Sequence, residues 1–218
     1  VPCPGGWLVA SGKLQGITLS PNDPAILPTL VDVLDYKPAY EIIALAAPVG
    51  LLDDYRRGGR TCDREARRLL GPRRGAAIPS APARSALGAG AELPGVSAIA
   101  RLRIPKTREA AEQLQPYWQR TVYEVHPELS FYQLNGDQPL HWSKHMTVGR
   151  KERRELLESR LEGVTRVLDA RLPRVRETHL LDAAACLWTA RRIAARAVQR
   201  LPEDPEWDSQ GLRMEFVR

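Results

Sequence analysis

The run Glu41 to Val49, EIIALAAPV, limits what this chain can become more than any other stretch. It is too short for a typical buried helix and is bounded by Tyr40 and Gly50. A continuous apolar segment of this length, rich in Ile and Ala, is the pattern of a strand covered on both faces, as parallel strands are. Such a strand needs a parallel neighbour and helices above and below it.

The rest of the sequence offers both. Thr121 to Val125, TVYEV, reads as the next buried strand, ending at His126-Pro127. Helical patterns fall at Pro28–Leu34, at Thr61–Leu70 with a Gly71-Pro72 stop, at Ile104–Gln115 and at Arg150–Leu161. Leu180–Leu201, LLDAAACLWTARRIAARAVQRL, is the longest helical signal and is closed by Pro202. Trp7–Ala10 and Gly16–Leu19, separated by SGK, read as a β-hairpin, and the tail GLRMEFV as a last short strand. Residues 72–95 are dense in Pro, Ala and Gly and read as a long loop. Alternation of this kind predicts an α/β sheet flanked by helices, and 218 residues suit one domain spanning 1–218.

Composition excludes several classes. No stretch approaches the roughly 18 apolar residues of a membrane span, and no signal peptide is visible, which points to the cytoplasm. The cysteines, Cys3, Cys62 and Cys186, form neither a CxxC pair nor a disulfide framework. A net charge of +6 suits a polyanionic partner, DNA or RNA, although the excess of arginine over lysine in an alanine-rich chain also follows from codon composition. No Walker or dinucleotide-binding glycine motif and no GxSxG elbow occurs.

Two acids interrupt apolar structure. Glu124 lies inside TVYEV, and Asp182 lies between LL and AAACLW near the start of the long helix. Singly, they read as a strand-end charge paired with an arginine and as an acid favoured by the helix dipole. Together, a carboxylate at a strand end and another on a helix over the sheet make a hard-oxygen site suited to Mg²⁺ or Mn²⁺. Two such ions about 4 Å apart hydrolyse phosphodiesters, but they need about three or four carboxylates. Around Glu124, His126 reads as a structural residue or a base, and Glu128 shares its face only if the bend at Pro127 preserves the alternation. Lys144 is a phosphate contact or part of a basic surface. His141 and His145 in HWSKH lack a third zinc ligand and read as a loop feature.

CPGGW, APVGL, TCDREARRLLG, PKTRE, YEVHPELSF, Ser143-Lys144 with GRKER behind it, LLDAAACLWTARR and LPEDPEWDSQGLRMEF follow one another in an order that resembles the domain of unknown function 429 family. Members of that family are predicted RNase H-like nucleases. The resemblance implies an RNase H-like mixed sheet flanked by helices, with the first strand missing or truncated here. It implies Glu124 and Asp182 as metal ligands, Glu128 as an assisting acid and Lys144 on the phosphate, with Mg²⁺ or Mn²⁺ as cofactor. It also exposes two departures: Val1 and Ala46 stand where the family carries Asp. Asp53 and Asp54, past the Gly50 turn, are substitutes for those acids only if they fold back. The expectation is a metal-dependent nuclease-family protein with a degenerate, weak or inactive site. The alternatives are a non-catalytic nucleic-acid-binding or protein-interaction module and, more remotely, chemistry on a small phosphorylated molecule.

Overall fold

A computed structural model of the protein describes residues 1–88 and 98–218. Part of the loop expected at 72–95 therefore lies outside the described residues. The architecture is mixed α/β, with several small sheets flanked by helices.

The central feature is a parallel pair, β6 (Ile43–Leu45) and β7 (Val122–Glu124), in register Ile43 with Val122 and Leu45 with Glu124. The apolar run of residues 41–49 therefore forms the expected parallel strand, although only its middle is regular. Both faces are covered, which explains why its sequence does not alternate with polar residues. On one side Leu45, Val49 and Val122 pack with Trp7, Leu30, Leu34 and Leu114. These come from β2 (Gly6–Val9), α1 (Leu30–Leu34) and the end of α3 (Ala98–Gln113). On the other side Ala44, Ala46, Tyr123 and Val125 pack against Cys186 and Ile193 of α7 (Glu177–Ala194).

At the N-terminal end, β1 (Pro2–Cys3), β2 and β5 (Ala25–Leu27) form an antiparallel sheet in the order β1-β2-β5. The expected hairpin between residues 7–10 and 16–19 is corrected. β2 pairs with β5, and the hairpin is instead β3 (Gly12–Gln15) with β4 (Thr18–Pro21). Gly16 makes its turn at φ +61°, a conformation open to glycine, so SGK begins a strand rather than joining two.

α2 (Thr61–Arg74) is broken at Gly71, where the sequence predicts its stop. α4 (Pro127–Leu134) was not foreseen: YEVHPELSF leaves its strand at Val125 and enters a helix at once. α5 (Thr147–Arg160), α6 (Thr165–Leu168), α4 and α7 share a core built on Phe131, Leu157, Val167, Leu181 and Trp188. α7 ends at Ala194, short of the expected Leu201. Arg196 turns to φ +54° beyond it, and the chain becomes β8 (Arg200–Trp207), antiparallel to β9 (Arg213–Val217). The register shift between Leu201 and Glu206 accommodates Pro202 and Pro205, the residues that disguised this strand. Among the described residues no helix is long and apolar enough to cross a membrane.

Candidate functional site

Glu124 ends β7, and its carboxylate is buried, 4% exposed. Burial of an unpaired charge is prohibitive, so the partners decide what this residue does. The principal partner is Arg60, the residue that caps α2. Its Nη1 donates to Glu124 Oε2 at 2.8 Å and to the Gly50 carbonyl at 2.8 Å. Its Nη2 donates to Glu124 Oε1 at 2.6 Å and to Asp63 Oδ1 at 2.8 Å. The Val49 amide adds a third donor to Glu124 Oε2, at 2.8 Å. Asp63 is held in turn by the backbone amides of Arg60 and Ala81, both at 3.1 Å. Arg60 and Asp63 are as buried as Glu124, and the Phe216 ring lies 5.4 Å from the guanidinium carbon. Gly50 permits this closure: a Cβ there would sit 2.8 Å from the Arg213 carbonyl of β9. Burial pushes the Glu124 carboxyl upward in pKa, and the Arg60 charge and hydrogen bonds oppose that only in part.

Beside this network lies a cleft of about 30 Å³, bordered by Ala46, Pro48, Arg103, Glu124, His126 and Phe216. Such a volume holds water and little else. Ala46 and Glu124 therefore meet at one small space, and Ala46 brings no oxygen to it.

His126 caps α4, with Nδ1 accepting the Glu128 amide at 3.2 Å and Pro127 occupying the first helical position. Burial, followed by the charge of Arg103, pushes its pKa down to about 3. It is a neutral cap. Glu128, placed by the bend in the first turn of α4, turns to two other arginines. Arg74 donates at 2.7 Å, and Arg153 reaches both carboxylate oxygens at 3.0 Å. Arg153 is wholly buried and also donates to the carbonyls of Trp142 and Gly149, both at 2.9 Å. Burial raises the Glu128 pKa, but Arg153 and Arg74 outweigh it and hold the carboxyl below its usual value. Glu128 thus ties α4 to α2 and α5.

Asp182 and Lys144, far apart in sequence, are brought into direct contact: Lys144 Nζ donates to Asp182 Oδ2. Asp182 Oδ1 is buried and has no hydrogen-bond partner. Asp182 sits on α7, the helix covering the Tyr123 and Val125 face of the parallel pair. Glu124 alternates with Tyr123 and Val125 and is turned to Arg60. The four sequence candidates thus divide among three ionic groupings: Glu124 with Arg60 and Asp63, Glu128 with Arg74 and Arg153, and Asp182 with Lys144.

The remaining motifs resolve locally. Arg64 donates to the Gly59 carbonyl at 2.6 Å and to Thr61 Oγ1 at 2.8 Å. Asp53 accepts from Ser209 at 2.6 Å and, with Asp54, borders a different groove, so neither replaces an acid beside Glu124. His141 and His145 lie in a loop, the first edge-on to Trp142. Sequence reasoning missed Arg60, Arg74, Arg103 and Arg153. Only Arg60 left a signal, standing three residues before the helical Asp63 as a cap paired at i, i+3.

The donor set does not fit two divalent ions. Both Glu124 oxygens serve the guanidinium, Asp182 offers one uncommitted oxygen, and among the described residues no group of three or more His, Cys, Asp or Glu is placed to hold a metal.

No curated protein and no solved structure matches this chain. The family described as "Protein of unknown function (DUF429)" matches residues 2–207. That span is nearly the whole sequence, and the chain belongs to the DUF429 family.

Proposed function

We propose that this protein is an RNase H-like member of a nuclease-type family whose metal site is degenerate, and that it binds nucleic acid with weak or absent cleavage. One observation carries the reading: the guanidinium of Arg60 takes both oxygens of Glu124 inside a buried network. A cation already neutralises the acid that a metal would need. Two further features support it. Ala46 borders the same cleft without a carboxylate, and the cleft is too small for a nucleotide. The parallel β6–β7 pair under α7 is compatible with an RNase H-like sheet. The net charge of +6 supports a polyanionic ligand through counterion release, with Lys144 and the helix that follows it as the basic flank.

Incubation of the purified protein with end-labelled single- and double-stranded DNA and RNA, with Mg²⁺ or Mn²⁺, tests both halves. Mobility shifts that weaken steeply with salt, without cutting, are expected. Efficient cutting that disappears in Glu124→Gln and Asp182→Asn would establish an intact metal site and overturn the degenerate reading. Absence of any shift at low salt would remove nucleic acid as the ligand.

A further inference from the structure

A second concavity is far larger than the cleft at Glu124 and shares no bordering residue with it. It is an open groove of about 640 Å³ between the Leu51–Arg56 segment and the turn joining β8 to β9. Two aromatic rings stand at its border with most of their surface in solvent: Tyr55 at 67% and Trp207 at 62%. Large exposed aromatics beside a concavity are the residues that interfaces use as anchors. Four acids border the same groove, Asp53, Asp54, Glu206 and Asp208, against one cation, Arg56. Part of that charge is already met. Asp208 is buried and held by Arg84 and by three backbone amides, and Glu206 pairs with Arg56 at 2.8 Å. Asp53 takes Ser209 and a looser contact from Arg84 at 3.5 Å. Asp54 is exposed, and among the described residues no side chain pairs with it. The groove is therefore acidic on a protein that is basic as a whole.

Trp207 also shows what its ring favours. The Arg213 guanidinium lies 5.8 Å from the ring centroid, on one face. A tryptophan face attracts cations through its quadrupole, and the rest of this ring remains in solvent. Aromatic rings with unsatisfied carboxylates beside them suit an alkylammonium or guanidinium group, and they disfavour phosphate. The groove therefore does not extend the nucleic-acid reading.

We propose that this groove docks a basic peptide segment of a partner protein, taking a lysine or arginine side chain against Tyr55 and Trp207, with Asp54 and Asp53 meeting its charge. The site does not depend on the cleft at Glu124. Its charge is opposite to that of the partner proposed there, so the two readings fail separately.

The test uses the full chain and three blocked pentapeptides, Gly-Arg-Gly-Arg-Gly and its versions with Gln or Glu in place of Arg. Binding is followed by isothermal titration, with tryptophan fluorescence as a second readout. The arginine peptide should bind, more weakly as salt rises, and the glutamate peptide should not. Trp207→Ala should weaken binding about tenfold, the worth of one well-placed interface aromatic. Asp54→Asn should weaken it about threefold at low salt, as expected of a partly screened charge. Both positions are exposed, so both variants should fold, and an unchanged circular dichroism melt checks this. Equal binding of all three peptides, no binding of the arginine peptide at millimolar concentration, or binding indifferent to Trp207→Ala would each overturn the proposal. Sedimentation equilibrium gives a further check. A dimer broken by Trp207→Ala would make a second copy of this chain the occupant and overturn the partner assigned here.

Discussion

Replacement of Arg60 by methionine should be among the most costly single changes in this protein. The substitution nearly preserves volume and leaves the aliphatic stem in place, so the loss comes from charge and hydrogen bonding. Four short hydrogen bonds go: to Glu124 Oε1 and Oε2, to Asp63 Oδ1 and to the Gly50 carbonyl. Glu124 keeps only the Val49 amide, while Asp63 keeps its two backbone amides. Two buried carboxylates then face each other without a cation. Removing one member of a buried ionic group costs about 3–5 kcal/mol, a large share of the roughly 5–15 kcal/mol that holds a typical domain together.

Urea unfolding at pH 7, read by tryptophan fluorescence, measures this loss. A cycle with Glu124→Gln isolates the pair, because neutralising Glu124 removes most of what Arg60 compensates. The double variant should recover about 2 kcal/mol relative to the sum of the single losses. The pH dependence fixes the sign. Without Arg60 the Glu124 carboxyl, already raised by burial, rises further. A raised carboxyl costs no stability below its unfolded pKa of about 4.3, and the penalty grows as pH climbs toward the folded value. The deficit of Arg60→Met should therefore shrink by about 1 kcal/mol or more between pH 7 and pH 5. A loss under about 1 kcal/mol, or a coupling within about 0.5 kcal/mol of zero, would refute the account of Glu124 as a residue committed to Arg60.

Three further outcomes follow from the same geometry. His126 has a folded pKa of about 3, so its neutral cap is fully present above its unfolded pKa of about 6.5 and is lost as pH falls toward 3. Stability should drop by about 1 kcal/mol per pH unit across that window, and His126→Asn, which preserves a capping acceptor, should flatten the slope in pH-dependent urea melts. Ala46→Asp should place a carboxylate at the cleft of Glu124. Its unfolding midpoint should rise with Mn²⁺ while that of the wild type stays level, and an identical Mn²⁺ response in both proteins would contradict the argument. Lys144→Met leaves the Asp182 carboxylate buried without a partner and should cost about 1–3 kcal/mol in the same melts, with Asp182→Asn in the same chain restoring part of it.

The fold was legible wherever burial was complete. The apolar run at residues 41–49 and the strand at Val122–Glu124 carry their two-sided environment in their composition, and they emerged as a parallel pair. α7 was equally visible in LLDAAACLW, because the residues facing β6 and the helical layer are apolar almost all round. Elements whose form depends on partners were not legible. β8 carries two prolines and exists through its bulged pairing with β9, a contact that no local pattern encodes. α4 begins at a His-Pro step that reads equally well as an extended bend. The candidate acids were correctly singled out as anomalies in apolar surroundings. Their destinations were hidden, because arginines at 60, 74 and 153 look like any other surface charge until the chain folds around them.

This bears on how an acid in such a segment should be read. Glu124 joins β7 to the cap of α2, and through the shared Gly50 carbonyl to the turn after β6. A protein that lost its hydrolytic chemistry would still need that junction to close its core, so Glu124 would be retained with or without activity. Glu128 bridges three helices in the same way. The informative position is Ala46, where no structural demand opposes an acid at the cleft edge and none is present. A side chain that packs only against α7 and Val125 is free to record whether a metal was ever required, whereas one locked to Arg60 is not.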